Sequence, residues 1–223
     1  MNEQNFSISR SQEAVLETNK VLKNTYALLS LTLLFSALMA GVSMAMEVPP
    51  AVPLFTMIGA FLLLWLVLPK TANSAAGIGV VFAITGLLGF GLGPMLNAYL
   101  SLANGSQIIT TALGGTGVIF LGLSGYALTT RRDFSFLGGM LFVGLIVVLL
   151  AAIANIFLAI PAMSLTISAV VILIMSGLIL FDTSRIIHGG ETNYIMATVA
   201  LYLDIYNIFV HLLHILGAVS GDD

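Results

Sequence analysis

Two aspartates of this sequence lie inside long apolar runs, where an ionised carboxylate is unfavourable. Asp182 lies in Leu180-Phe-Asp-Thr183, and Asp204 lies in Leu201-Tyr-Leu-Asp-Ile205. An ionised aspartate at the centre of a membrane helix costs about 2.5–3.5 kcal/mol on insertion scales, so each residue needs a partner, a proton or water. Two carboxyls in one poorly solvated site tend to share a proton, and without it they repel each other and offer oxygen ligands to a hard cation such as calcium. The residue types therefore indicate a proton latch, with Asp182 and Asp204 as candidate calcium contacts rather than a firm metal site.

A simpler interpretation of the two acids remains open. Arg185 follows Asp182 by one helical turn and would pair with it at the membrane interface. Asp204 would then stay neutral and form a hydrogen bond with a neighbouring group. Under this interpretation the two carboxyls have no gating role, and the spacing of the residues alone does not favour either account.

The last apolar run carries a polar stripe that begins at Asp204. Asn207, His211 and His214 follow it at steps of three or four residues, so the four side chains share one face of a helix. A proton or ion route is one interpretation, with Asn207, His211 and His214 as pore-lining or supporting residues. The alternative is that both histidines lie near the lipid headgroups, where polar side chains cost little.

The composition requires lipid around these residues. Of the 223 residues, 59% are hydrophobic and 8% are charged, whereas a soluble domain carries about 25% charged residues. Such a chain cannot cover a water-facing surface, so we expect the lipid bilayer as its surroundings and no nucleic-acid partner. Cysteine is absent, which excludes disulfides, thiolate metal sites and a catalytic thiol. No phosphate-binding loop or dinucleotide fingerprint is present, and we predict no cofactor.

The apolar runs predict an all-α, polytopic membrane protein with seven transmembrane helices. Each run is close to the 20 residues that a span needs, and the breaks contain Pro, Gly, Asn or charged residues. The predicted spans are 25–46, 51–69, 74–96, 107–129, 134–158, 163–187 and 194–217. This divides the chain into an N-terminal tail at 1–23, a transmembrane domain at 24–218 and a short C-terminal tail at 219–223.

The basic residues orient the seven spans. All of them fall on one side of the membrane in this arrangement: Arg10, Lys20, Lys23, Lys70, Arg131, Arg132 and Arg185. The positive-inside rule makes that side cytoplasmic, which predicts a cytoplasmic N-terminus and a periplasmic C-terminus. By helix rise, Asp182 and Asp204 lie roughly 9 and 15 Å from the cytoplasmic ends of consecutive antiparallel spans. The two carboxyls are therefore predicted to meet in the cytoplasmic half of the bundle.

The positions of the candidate residues along their spans argue against an enzyme. Gly122-Leu-Ser-Gly125 imitates the serine motif of rhomboid proteases, with His211 or His214 as the base. Ser124 lies in the cytoplasmic half of its span, whereas His211 lies roughly 25 Å from the cytoplasmic end of the last span. Nucleophile and base must come within about 3 Å of each other. Since His188-Gly-Gly-Glu191 also lacks the spacing of a zinc protease, we predict that the protein is not an enzyme.

Glycines are frequent in the third and fourth spans. Gly89 and Gly93 form a small-xxx-small pair in span three, and five further glycines follow in span four: Gly114, Gly115, Gly117, Gly122 and Gly125. Small residues let helix backbones approach closely in lipid. Close helix packing is the simpler interpretation, and sliding or bending of the helices is the alternative.

Five segments together are similar to the Bax inhibitor-1 family of seven-span membrane proteins. They are Lys20-Val-Leu-Lys-Asn-Thr-Tyr26, Leu92-Gly-Pro-Met-Leu-Asn97, Thr129-Thr-Arg-Arg-Asp-Phe-Ser-Phe-Leu-Gly-Gly139, Ile186-Ile-His-Gly-Gly-Glu-Thr-Asn-Tyr194 and Leu201-Tyr-Leu-Asp-Ile-Tyr-Asn-Ile-Phe209. The resemblance implies the seven-helix bundle of that family. It also implies a pH-sensitive calcium leak with an aspartate pair as latch, to which Asp182 and Asp204 correspond. The basic residue near such a pair would be Lys70 or Arg185.

The resemblance also implies a protein partner. Bacterial inner-membrane members of the family act as partner, substrate and modulator of the membrane-bound AAA protease FtsH. For that role the segment Met1 to Lys23 is the natural handle, since it is polar and is expected to be flexible. The first hypothesis is thus a modulator of the FtsH protease, and the alternative is a pH-sensitive calcium or cation leak channel gated by Asp182 and Asp204.

Overall fold

The computed structural model describes the backbone of residues 3–220 and the side chains of residues 16–220. Within that part of the chain the regular structure is entirely helical. The elements are α1 Glu3–Ala45, α2 Val52–Leu62, a π-helical turn Leu63–Val67, α3 Leu68–Thr71, α4 Ala75–Leu100, α5 Gly105–Thr130, α6 Leu137–Leu158, α7 Pro161–Ile187 and α8 Tyr194–Ser220. Seven of the described helical segments are long and apolar enough to span a membrane, as predicted.

The span bounds agree with the sequence prediction at most ends. The first spanning segment is Leu16–Ala45, and the second, Val52–Thr71, joins α2, the π-helical turn and α3. All seven lysines and arginines lie before the first span or in its first two turns, or where the second, fourth and sixth spans end. We call this the basic end of the bundle and the other the opposite end.

Two helices continue beyond their predicted limits. α1 is helical from Glu3 onwards, where the sequence predicted a flexible tail. Residues 3–23 contain no glycine or proline, so nothing in them interrupts a helix. α4 likewise continues through Pro94 to Leu100, although the third span was predicted to end at residue 96.

A π-helical turn interrupts the second span at Leu63–Val67. Pro69 lies just after it. A proline has no backbone N–H, and its ring clashes with the carbonyl four residues earlier, which here belongs to Trp65. Widening the turn relieves that clash, so the helical path continues to Thr71 without a break in the span.

α8 is the central helix of the bundle. It packs against α1, α4, α5 and α7, whereas α2 packs on α4 and α6 packs on α7. Leu201, Ile208 and Leu213 of α8 are completely buried. Most large apolar side chains of α6 are exposed, as befits a helix that faces lipid on most of its surface. The helix that carries Asp204 is thus, together with α4, among the spans most enclosed by protein.

Glycines of α4 bring its backbone close to α1. A Cβ on Gly86 would meet the ring of Phe35, and a Cβ on Gly89 or Gly93 would meet Ser36 or Ser43. The α5 glycines differ, because a Cβ at positions 114, 117, 122 or 125 would meet no atom of the described chain within 4 Å. Close packing explains the first group and does not explain the second.

This difference predicts opposite effects of the same substitution on stability. We expect Gly89→Ala to lower the free energy of unfolding by about 1–3 kcal/mol, because the new methyl group overlaps the Ser36 carbonyl. Gly114→Ala should raise it by up to about 1 kcal/mol through helix propensity alone. Thermal unfolding of the two variants in the same detergent provides the comparison. Equal melting temperatures would contradict the packing described for α1 and α4.

Candidate functional site

Asp204 is a buried acid in the central helix. Its exposed fraction is 4%, and its Oδ2 atom is buried without a hydrogen-bond partner among the described residues. Tyr202 and Ile205, on either side of it in the sequence, are also buried. Since an ionised carboxylate without a partner is costly in such surroundings, Asp204 requires a proton or a ligand that the described residues do not supply.

Asp182 lies on α7, which packs along α8. Its side chain is mostly buried, with 14% exposed. The two acids therefore lie on helices that pack against each other. Each carboxyl has a different environment, because Asp182 reaches the edge of the bundle and Asp204 does not.

Arg185 lies at the basic end of α7 and is shared between several groups. Its Nη1 atom is 4.0 Å from Asp182 Oδ1, and its Nη2 atom is 3.6 Å from Glu191 Oε2. Nη2 also donates to the carbonyl of Gly190 at 3.3 Å. The ion pair between Asp182 and Arg185 that the simpler interpretation expected is therefore present, at the limit of an ion-pair distance. Exposed pairs of this kind contribute little, and Glu191 competes for the same guanidinium.

Lys70 is not brought to the two acids by an ion pair. It is exposed on α3, and no salt bridge joins it to another described side chain. α3 follows α2 in the second span, which packs on α4 rather than on α7 or α8. Of the two basic candidates for a partner of the aspartates, Arg185 is the one in contact.

The polar stripe of α8 divides into separate parts. Asn207 donates from its side-chain amide to the Leu203 carbonyl of its own helix at 2.8 Å. His211 and His214 instead face Ser168 of α7, with Nδ1 to Oγ distances of 3.0 and 2.8 Å. Among the described residues, no hydrogen bond connects Asp204 with these three. The continuous route suggested by helical spacing is therefore not present as a hydrogen-bonded chain.

Hydrogen-bond counting assigns the protons in the histidine cluster. The Ser168 hydroxyl has one proton and lies 3.1 Å from the Ser164 carbonyl, which only accepts. If the hydroxyl donates there, both imidazoles must donate to Ser168 from Nδ1. His214 Nε2 is then free to accept from the Ser164 hydroxyl, 3.4 Å away. The cluster thus joins α7 and α8 through the Ser168 hydroxyl.

A hydroxyl cluster next to Asp182 was missed by the sequence analysis. The Tyr26 hydroxyl of α1 is hydrogen-bonded to Ser124 of α5, and it lies 3.5 Å from Thr183 Oγ1 of α7. Ser124 Oγ and Thr183 Oγ1 are 3.3 Å apart. Ser124, the serine of the protease-like motif, thus bonds helices together, and its described partners do not include His211.

Tyr202 forms a second buried connection, half a turn before Asp204. Its hydroxyl donates to the Thr85 carbonyl of α4 at 3.2 Å, which leaves Ser36 of α1 to donate to it at 2.7 Å. Its ring stacks with Tyr206 at a centroid distance of 6.1 Å. One side chain thereby joins three helices and satisfies two buried hydroxyls.

The loop after α5 holds the basic end of α7. The Phe134 amide donates to Ser184 Oγ at 2.9 Å, and the side chain and backbone of Ser135 donate to Asp133. These two bonds hold the pKa of the Asp133 carboxyl below its usual range. The loop therefore keeps a charged carboxylate outside the membrane beside the helix that carries Asp182 and Arg185.

The donor set limits what the site can bind. Within the described residues, no group of three or more His, Cys, Asp or Glu side chains is arranged to hold a metal ion. The acids of α7 and α8 are the two carboxyls Asp182 and Asp204, and carboxyl oxygen is the ligand type that suits a proton or a hard cation.

Comparison with known proteins places the chain in a family. Residues 18–221 match the family model described as "Inhibitor of apoptosis-promoting Bax1". The chain is 56% identical to the Escherichia coli K12 protein named "Modulator of FtsH protease YccA", over 97% of this chain and 98% of the relative. In another Escherichia coli strain a relative with the same identity and coverage is named "Inner membrane protein YccA". An uncharacterized membrane protein of Vibrio cholerae is 51% identical over the full length of both chains. This chain belongs to the Bax inhibitor-1 family of membrane proteins.

Proposed function

We propose that this protein modulates a membrane-bound AAA protease of the FtsH type in the bacterial inner membrane. The observation that carries the proposal is the 56% identity, over 97% of the chain, to a relative named for that modulation. The protein would engage the protease as a partner and a poor substrate, and so slow the degradation of other membrane substrates. Resistance to extraction from the bilayer is the physical property that this role requires.

Contacts of α1 support such resistance. α1 is the first helix that a protease pulling from the N-terminus would withdraw, and it packs along α4 through the close glycine contacts. Tyr26 connects it to α5 and α7, and Ser36 connects it to Tyr202 of α8. Removing α1 therefore breaks contacts with four helices. Each buried hydroxyl left without a partner adds about 1–3 kcal/mol to the cost of that step.

The N-terminal segment supports engagement by the protease. α1 continues from the start of its span at Leu16 back to Glu3, which adds roughly 20 Å of helix at 1.5 Å per residue. Isolated helices shorter than about 12–15 residues are marginal in water. The segment 3–15 would unwind at low cost when pulled, although the helix behind it is held by the bundle.

Removal of residues 2–15 is expected to abolish the effect on the protease. A reporter membrane substrate should be degraded in proteoliposomes at the rate measured without this protein, because the protease has nothing to grip. A matched control replaces residues 2–15 with an unrelated helical segment of equal length, which should restore the slow rate. If the deleted protein, shown to be inserted, still slowed degradation like the intact chain, the proposed handle would be wrong.

We further propose that the basic end of the bundle faces the cytoplasm. This orientation is supported by the placement of all seven lysines and arginines at that end, because basic loops are retained on the cytoplasmic side. It puts the N-terminal segment on the side where a cytoplasmic protease domain could reach it. The C-terminus then lies in the periplasm.

Single cysteines test the orientation directly, since the chain has none of its own. In intact spheroplasts, Asp222→Cys should react with a membrane-impermeant maleimide, and Gln4→Cys should react only after the membrane is permeabilised. The two variants control for each other in expression and labelling chemistry. Reaction of Gln4→Cys in intact spheroplasts would reverse the assignment.

A second candidate function is a proton-gated cation leak, favoured by one specific observation. Asp204 is buried in the central helix with Oδ2 unpartnered among the described residues, and Asp182 lies on α7, which packs along that helix. A shared proton would hold the two carboxyls together, and its loss would leave a repulsive, cation-attracting pair. This activity concerns an intrinsic path through the bundle, so it is compatible with a protease partner.

Asp204→Asn separates the leak from the protease function. The amide keeps the shape of the side chain but cannot lose a proton, so calcium flux into proteoliposomes should become independent of pH between about pH 6 and about pH 8. Glu47→Gln, which removes a carboxylate at the opposite end, should leave the pH dependence as in the wild type. A flux in Asp204→Asn that changes with pH like the wild type would count against the latch.

A further inference from the structure

α1 and α5 leave a gap between them in the bundle. Both pack on α8, yet their backbones do not approach each other within 8 Å anywhere in the described chain. Side chains bridge the two helices towards the basic end, where Tyr26 contacts Ser124 and the ring of Phe120. Beyond that bridge the gap widens into a cavity of about 450 Å³, which we call the lateral cavity.

Residues of four helices line the lateral cavity. They come from 33–44 of α1, from 109–120 of α5, from 202–209 of α8, and from Leu92 and Leu96 of α4. The lining is almost entirely apolar, and none of its described side chains is charged. An occupant of this space is therefore in contact with carbon atoms on nearly every side.

Most hydroxyl groups in the lining already have hydrogen-bond partners within the protein, so they do not require one from an occupant. Ser36 and Tyr202 are hydrogen-bonded to each other, and Tyr202 also donates to the Thr85 carbonyl. Thr116 donates to the Ala112 carbonyl of its own helix at 2.7 Å. A water molecule needs two to four polar partners to be stable in a cavity. With three of the four lining hydroxyls already paired, the lateral cavity favours an apolar guest over water.

Lipid chains have direct access to the lateral cavity. Gly41 of α1 and Gly117 of α5 line it, and a Cβ on either glycine would meet no described atom within 4 Å. Leu113 in the lining and Leu38 next to it on α1 are exposed, at 57% and 62%, and α1 and α5 are both membrane-spanning. The α1 lining belongs to the second half of its span, so the cavity lies in the half of the membrane towards the opposite end.

The volume of the lateral cavity favours some apolar occupants over others. An α-helix with its side chains is about 10–12 Å across, so the cavity would hold only about one turn of a partner helix. A single acyl chain is slender, and a cavity of this size is within the range of sites that enclose small apolar ligands. The shape and lining therefore fit one hydrocarbon chain better than a segment of protein.

We propose that the lateral cavity binds one acyl chain of a phospholipid from the leaflet at the opposite end. The chain inserts between Gly41 and Gly117 and completes the packing of α1 against α5. This explains why these glycines face empty space, whereas Gly89 and Gly93 face protein. The site does not depend on the proposed protease or leak function.

A photoreactive lipid tests the proposal with the full-length protein. The protein is reconstituted in vesicles of phosphatidylethanolamine and phosphatidylglycerol that contain a trace of phosphatidylglycerol with a diazirine near the end of one acyl chain. After illumination, mass spectrometry of peptides should find adducts concentrated on 33–44 of α1 and 109–120 of α5. α6, with its extensive lipid-facing surface, reports the labelling expected from passing lipids alone. Adducts on the lining no more frequent than on α6 would overturn the proposal.

Two glycines of α5 provide a matched pair of variants. Neither Gly117→Leu nor Gly114→Leu introduces a clash at Cβ, but Gly117 lines the lateral cavity and Gly114 does not. Gly117→Leu should reduce adducts on the lining about tenfold, the loss expected when roughly two methylene groups of the chain no longer fit. Gly114→Leu should label like the wild type. An equal effect of the two substitutions would contradict the assignment.

A benzophenone in the cavity distinguishes lipid from a protein occupant. Phe120 also lines the cavity, and replacing it with benzoylphenylalanine places a photoreactive ketone beside the occupant. A phospholipid adduct on the monomer supports the proposal. A covalent product with a second copy of the chain or with another membrane protein would overturn it.

Discussion

Every polar group on a helix enclosed by other helices in lipid must find its partner within the protein, because no bulk water is available. α8 occupies that central position and meets the constraint along most of its length. Tyr202 bonds to α1 and α4, and the two histidines bond to Ser168 of α7. These bonds favour α1, α4 and α7 as the neighbours of α8, and they favour one axial position of each helix relative to α8. Asp204 is the exception, with a buried oxygen atom left unpartnered among the described residues.

The same constraint connects stability with the two functions considered. A helix bundle held by matched buried hydroxyls loses several hydrogen bonds when one helix is withdrawn, and α1 contributes Tyr26 and Ser36 to that set. Resistance to extraction is therefore a consequence of the polar core as well as of apolar packing. The unmatched Asp204 carboxyl is the group to which the proposed leak assigns a role, through a proton shared with Asp182.

Glycine has two distinct uses in neighbouring helices. In α4 the glycines allow the backbone of α1 to approach, as at Gly89 and Gly93. In α5 the same residue leaves space that no protein atom fills, as at Gly117 beside the lateral cavity. Spacing alone does not distinguish these uses, since both helices carry similar small-residue patterns. The difference depends on which helix lies opposite, and that is a property of the assembled bundle.

The seven spans, the placement of the basic residues and the two membrane aspartates followed from the sequence, because bilayer thickness and the cost of buried charge act on each segment separately. Their mutual arrangement did not. The cluster of Tyr26, Ser124 and Thr183 joins residues 98 and 157 positions apart, and ordinary hydroxyls on three helices give no periodic signal. Spacing also grouped His211 and His214 with Asp204, whereas the structure bonds them to Ser168. Local hydrophobicity determines which segments enter the membrane, and only the packing of helices decides which polar side chains meet there.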